Sequence, residues 1–303
     1  MKIDFYTHIL PQKYYAALQK KNIKILDGTE KMYPNVIDVA TRMRLMNRYP
    51  DVLQVITVMQ PPLEEHASPQ DALELARIAN DEIAELVVKY PDKFYAAVAC
   101  LPMNDMDAAL AETDRAITQL GLKGVQIYSR IHGETLDQPK FRPLFEKMAK
   151  YDLPIWIHPV DHLFSPKTGI TPEDAGVLNL VYETSYAMQK IVMGGIFRDY
   201  PNLKIITHHC GAIIPILEGR LFFPDQFKKF YCDTATYGAT SPIMGAYNFF
   251  GPDHVLFGSD SPLGPKYGCT LDIEQAIERM SIPDIDKEKI FLKNAENLLK
   301  IAL

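Results

Sequence analysis

The sequence predicts an α/β fold, a (β/α)8 TIM barrel with lid loops after the first and fifth strands. Three observations carry that reading: eight short apolar runs, an amphipathic helical pattern between them, and polar residues gathered where the runs end. Runs of four to eight residues rich in Val, Ile and Phe suit parallel strands buried on both faces. Eight of them within 303 residues favour a closed barrel over an open sheet, as one domain over residues 1–303. No glycine-rich GxGxxG follows the first run, so a dinucleotide fold is not indicated.

In order, the runs are KIDFYTH (2–8), VLQVITV (52–58), KFYAAVAC (93–100) and KGVQIY (123–128), then LPIWIH (153–158), LKIITHH (203–209), KFYCDTA (229–235) and HVLFGSD (254–260). The helical patterns fall at 71–89, 105–120, 140–151, 178–199 and 271–280, with a last one over 286–301. Two connections are longer than usual, roughly 9–51 and 159–177. Both follow strand C-termini, where barrel enzymes build pockets, so both are lid candidates. Trp156, the only tryptophan, is expected to pack outside the barrel against helices.

Composition excludes several function classes. A net charge of −6 without Lys/Arg clusters argues against a nucleic-acid partner, which needs a concentrated basic face. Asp4 and His8 interrupt the N-terminus where a secretory segment needs an apolar run, and no stretch approaches a membrane span, so a cytoplasmic enzyme with no membrane partner is expected. Cys100, Cys210, Cys232 and Cys269 are widely spaced and read as reduced thiols.

Buried strands have little use for polar side chains, so polar strand ends are informative. A period of two places Asp4, Tyr6 and His8 on one face of the first strand, with His8 at its end. His158 ends the fifth run, His208 and His209 the sixth, and Asp260 the eighth, while the seventh reaches Asp233. Imidazole with carboxylate suits a divalent metal, zinc first and manganese second, and a catalytic zinc takes three protein ligands. His8, His158 and Asp260 supply that count, leaving His209 as a general acid or base near working pH. His66, His132 and His254 read as surface groups, and Gln60, Gln126 and Tyr128 as strand-end residues that could line a pocket.

These pieces resemble the amidohydrolase-related enzymes similar to aminocarboxymuconate-semialdehyde decarboxylase and the γ-resorcylate-type decarboxylases. The matching segments are DFYTHILP, WIHP at 156–159, ETSYAMQKIVMGGIFRDYPNLKIITHHCGAIIPILEGR at 183–220 and VLFGSDSPLG at 255–264. The resemblance implies one divalent metal held by a (His/Glu)-x-His pair, a His before Pro and an Asp. Those positions here are Tyr6 and His8, His158, and Asp260. It further implies that His209 rather than His208 is the non-ligand catalytic residue, with Asp260 beside it. Arg220 then faces the substrate carboxylate, and Arg44 is a second candidate; His162, by its own position, reads as a surface loop group that the fifth-strand lid could bring to the substrate. Arginine suits carboxylate because its planar fork binds two oxygens.

Tyr6 departs from the pattern. The metal survives on three ligands, or Tyr6 joins as a phenolate or bonds the metal-bound water, or the metal is lost. The implied activity is non-oxidative decarboxylation of a small aromatic or unsaturated carboxylic acid. A metal-dependent hydrolase or hydratase on the same barrel is the alternative, and a silent barrel lacking metal the remoter one. A homodimer is among the assemblies the resemblance allows.

Overall fold

The computed structural model describes residues 1–23, 29–59, 61–160, 178–264 and 270–302. Its strands are β1 (Lys2–Ile9), β2 (Val52–Val58), β3 (Phe94–Cys100), β4 (Val125–Tyr128), β5 (Arg130–Ile131), β6 (Glu134–Thr135), β7 (Ile155–His158), β8 (Ile205–Thr207) and β9 (Tyr231–Cys232). β5 and β6 form a separate antiparallel hairpin. The other seven make one sheet in the order β1-β2-β3-β4-β7-β8-β9, every neighbouring pair parallel.

The eighth run closes the barrel without a regular ladder. Cys232 N–H donates to His254 O at 2.9 Å and Leu256 N–H to Cys232 O at 2.8 Å, which joins residues 254–256 to β9. On the other side Phe5 N–H donates to Phe257 O at 2.7 Å, Asp260 N–H to Tyr6 O at 2.9 Å and His8 N–H to Ser261 O at 2.6 Å. The first and last strands are thereby stitched together, and the expected (β/α)8 barrel is the fold.

Helices cover the outside. Pro69–Lys89 begins where Ser68 Oγ accepts the Asp71 N–H at 3.2 Å with Pro69 in the first turn, and Met106–Thr118 begins where Asp105 accepts from Ala108 N–H at 3.1 Å. The remaining long outer helices are Arg142–Tyr151, Leu180–Met193, Thr240–Phe250 and Thr270–Glu278. At the chain's end Asp284–Glu288 passes through a π-turn, Lys289–Lys293, into Asn294–Leu299. Leu298 and Leu299 join the barrel interior there.

Alternation along the strands divides the core. Ile155, Ile157 and Ile205 pack outward with helix residues such as Leu75, Ile83 and Phe145, whereas Trp156 and Ile206 belong to the interior with Ile3, Phe5, Val55 and Val98. Trp156 therefore corrects the expectation that it packs outside. Its neighbours Ile155 and Ile157 take the helix face, so period two turns it inward, where its ring stacks on Phe5 at 5.1 Å and Nε1 donates to Phe5 O at 3.3 Å.

A second correction concerns β1. The register against β2 shifts between Asp4 and Thr7, a bulge that breaks the period of two. Phe5 and Tyr6, adjacent in sequence, both enter the interior, and Asp4 instead accepts the Ser259 N–H at 2.8 Å and the Ser259 hydroxyl.

The first long connection is packed. It contains the helices Gln12–Lys20, Thr29–Met32 and Val39–Met46 and a 3-10 turn at Pro34–Val36. Lys13 and Tyr14 N–H groups donate to the Glu82 carboxylate on the neighbouring helix, and Tyr14, Leu18, Val36 and Met46 are buried. Most of the second lid candidate, residues 161–177, lies outside the described residues, as do Gln60 and Cys269. Cys100, Cys210 and Cys232 are free thiols, as expected.

Candidate active site

Tyr6 and His8, two residues apart on β1, meet at one mouth of the barrel. Their rings meet edge to face with centroids 4.6 Å apart, and the His158 ring, from the end of β7, stands 5.3 Å from that of His8. Tyr128, paired in register with His158, adds an edge contact at 5.5 Å. From the closing run, Asp260 Oδ1 lies 3.1 Å from His8 Nε2. All of these side chains are buried.

Each imidazole is oriented by a contact at Nδ1. His8 Nδ1 meets Thr57 Oγ1 at 3.0 Å, His158 Nδ1 meets Pro159 O at 2.7 Å, and His208 Nδ1 meets Asp233 Oδ2 at 2.7 Å. Such contacts fix the ring and direct Nε2 elsewhere. His8 Nε2 and His208 Nε2 are buried without a hydrogen-bond partner among the described residues. The His8 Nε2 to Asp260 contact is thus close without hydrogen-bond geometry.

His208 and His209 take different positions. His208 is fully buried and its ring stacks on Tyr6 with centroids 3.6 Å apart. His209 is half-buried, with Nδ1 unpartnered among the described residues and a backbone φ of +57°. Cys210, Gly211 and Ala212 continue at positive φ, a strained run of the kind that collects at functional sites. Asp233 anchors the turn: besides His208, it accepts His209 N–H at 2.8 Å and Ala235 N–H at 3.0 Å. Gly258 lets these groups approach, because a Cβ there would lie 2.8 Å from Asp233 Cβ and 3.1 Å from Tyr6 Cβ.

Burial sets the charges. It pushes His158 well below the usual imidazole range, helped by His8 and His208. In the His208–Asp233 pair burial favours the neutral forms, lowering the imidazole and raising the carboxyl to about 7. Burial pushes Asp260 up, but His8, His209 and His158 more than offset this and hold it below the ordinary carboxylate value. Tyr6 is pushed well above the usual phenol range by burial and by Asp260 and Asp233. It stands as a neutral phenol.

The donor chemistry fits a divalent ion. Two ligands each about 2.1 Å from one ion, at angles of about 90–110°, stand about 3.0–3.4 Å apart, which is the His8 to Asp260 spacing. The neutral His158 and ionised Asp260 are in the protonation states that ligands require. As arranged, however, no three His, Cys, Asp or Glu side chains among the described residues converge closely enough to hold an ion.

The remaining sequence candidates disperse. Arg220 is exposed at the end of the short helix Ile214–Arg220, and Arg44 is exposed with Nη2 donating to Thr41. His162 lies outside the described residues. Sequence reasoning passed over two buried groups, Arg42 and Glu64, and the exposed Tyr237. Arg42 donates to His8 O at 2.5 Å, to Thr7 Oγ1 at 3.1 Å and to Gln54 Oε1 at 2.7 Å. Glu64 follows β2, is 2 % exposed and leaves Oε1 unpartnered among the described residues. Tyr237 donates to Asp260 Oδ2 at 3.4 Å. An arginine two residues from the favoured one and a lone loop Glu gave no periodic signal to follow. His66 is exposed and His132 half-exposed, as expected of surface groups, and Glu218 is an exposed partner of Lys228.

Comparison with known proteins bears on this geometry. The amidohydrolase family profile matches residues 3–301. A 2-amino-3-carboxymuconate-6-semialdehyde decarboxylase of Dictyostelium discoideum is 31% identical, over 86% of this chain and 82% of that one. A γ-resorcylate decarboxylase of Rhizobium sp. is 26% identical over 96% and 92%. Among solved structures, a 2,6-dihydroxybenzoate decarboxylase with 2,6-dihydroxybenzoate bound superposes with a TM-score of 0.81 at 25% identity, covering 99% and 100% of the two chains. A dihydroxybenzoic acid decarboxylase from Polaromonas sp., holding manganese and the inhibitor 2-nitroresorcinol, superposes with a TM-score of 0.83 at 25% identity, covering 99% and 96%.

Proposed function

The chain belongs to the amidohydrolase family, and from that premise we propose that it is a divalent-metal-dependent decarboxylase of a small aromatic or unsaturated carboxylic acid. The observation that carries the reading is the His8 Nε2 to Asp260 Oδ1 approach, 3.1 Å without hydrogen-bond geometry, at the barrel mouth beside His158. His8, His158 and Asp260 would hold the ion. Bound there, a divalent metal supplies a Lewis acid for negative charge developing on the substrate. Manganese in the Polaromonas relative favours that ion over zinc.

The protein's own groups supply the rest. The carboxylate leaves as CO2 and the carbon that held it gains a proton. His209 is the donor: it is half-buried, its Nδ1 has no hydrogen-bond partner among the described residues, and Asp233 fixes its backbone. Tyr6 and Tyr128 flank His8 and His158 with aromatic surface, excluding water around them. Asp233 holds the turn so that His209 need not reorganise when the proton moves. Arg220 and Arg44, both exposed, would meet a substrate anion only at the rim. Among the described residues no helix is long and apolar enough to cross a membrane.

The test is incubation of manganese- or zinc-loaded protein with 2,6-dihydroxybenzoate and related acids, with CO2 detected directly. Stoichiometric CO2 and the matching carbon product are expected. Turnover confined to ester or amide hydrolysis would overturn the assignment.

A further inference from the structure

We propose that His208 is a metal ligand, taking through Nε2 the place that Tyr6 leaves open on the first strand, so that a bound ion draws together His8, His158, His208 and Asp260, which as arranged do not converge closely enough to hold one. The inference rests on the metal-dependent reading above.

The argument begins with what distinguishes a ligating imidazole from a structural one. A ligand histidine has one ring nitrogen bound to a carboxylate, carbonyl or similar group, and the other nitrogen presents a lone pair with no protein partner. His158, with Nδ1 on Pro159 O, shows the first half of that arrangement, and His8, with Nδ1 on Thr57 Oγ1 and Nε2 without a hydrogen-bond partner among the described residues, shows both. His208 shows both as well. Its Nδ1 lies 2.7 Å from the Asp233 carboxylate, and its Nε2 is buried and unpaired among the described residues. An unpaired polar atom in a wholly buried side chain is costly unless something binds it.

Position agrees. His208 lies two residues beyond Ile206, which faces the barrel interior, and its ring stands 5.9 Å from that of His158 and 3.6 Å from that of Tyr6. It therefore occupies the same mouth as His8 and His158, against the residue standing where the family supplies its first ligand. Tyr6 cannot readily serve itself, because its ring is fully buried in a stack with His208 and an edge contact with His8. His209 lacks the pattern: its Nδ1 has no anchor among the described residues, so it keeps the role of proton donor. The ligand has in effect moved from β1 to the end of β8.

The unaltered protein provides the first measurement. With one equivalent of Mn(II) bound, pulsed electron paramagnetic resonance counts the coordinated imidazole nitrogens. Three are expected; two would overturn the proposal. Variants provide the second, read as Co(II) affinity and visible absorption rather than as turnover, with circular dichroism reporting folding. His208→Gln is expected to weaken Co(II) binding about 100-fold and Asp233→Asn about 10-fold, the scale of losing a ligand and its orienting carboxylate. Adding Tyr6→His to His208→Gln should recover most of the affinity by returning the ligand to β1. An unchanged affinity and spectrum in folded His208→Gln would overturn the assignment, as would failure of the unaltered protein to bind either ion. Three imidazoles on the ion without CO2 release from any acid would leave His208 a ligand and defeat the decarboxylase reading alone. CO2 release with two imidazoles would do the reverse.

Discussion

Glu64 sits on the turn Leu63–His66 after β2, and burial, with a small contribution from Glu65, raises its carboxyl from the ordinary 4.5 to about 8. A folded-state value above the unfolded one means that folding favours the protonated form. The contribution is complete below about pH 4.5 and is lost as pH rises through about 8. Glu64→Gln, neutral at all pH, should therefore come close to the parent near pH 5 and exceed its stability by about 4 kcal/mol near pH 8.5. Urea midpoints at the two pH values check this, and equal pH slopes in parent and variant would contradict it. At the site, His209→Gln should lower kcat for CO2 release by about 100-fold or more with little change in KM, the scale of losing a positioned proton donor. A changed KM at constant kcat would point to a binding role instead.

At the scale of elements, the join between the first connection and the barrel depends on Arg42. Its guanidinium, 2 % exposed, links the helix Val39–Met46 to β1 through His8 O and Thr7, and to β2 through Gln54. Burial lowers its pKa to about 10, only partly countered by Asp4, so it remains charged at neutral pH. Removing it strands several buried acceptors at once. Arg42→Ala should cost about 3–5 kcal/mol in denaturant unfolding, whereas Arg44→Ala, at an exposed site, should stay within about 0.5 kcal/mol. The β1 bulge is the other decisive element. It turns Tyr6 and His8 inward while Asp4 caps Ser259, an outcome that alternation alone does not give.

At the scale of the whole molecule, closure and interior packing set stability. Trp156→Ala would empty a space between Phe5 and Ile206 and is expected to cost about 3–5 kcal/mol, read from the unfolding midpoint. The amides of Phe5, His8 and Asp260, which stitch the last strand to the first, should exchange with solvent as slowly as those of β2 and β7. Rapid exchange at these three alone would mean an open sheet. Sequence by itself determined the barrel, the order of its strands and the strand-end positions of His8, His158 and Asp260, because parallel strands buried on both faces must be apolar and their polar ends therefore stand out. The tertiary structure decided what periodicity cannot express: the inward turn of Trp156, the bulge that separates Asp4 from Tyr6, the choice of Arg42 over Arg44 beneath His8, and the pairing of His208 with Asp233. Each depends on a contact between residues distant in the chain or on an irregular turn, and neither leaves a repeating mark in the order of amino acids.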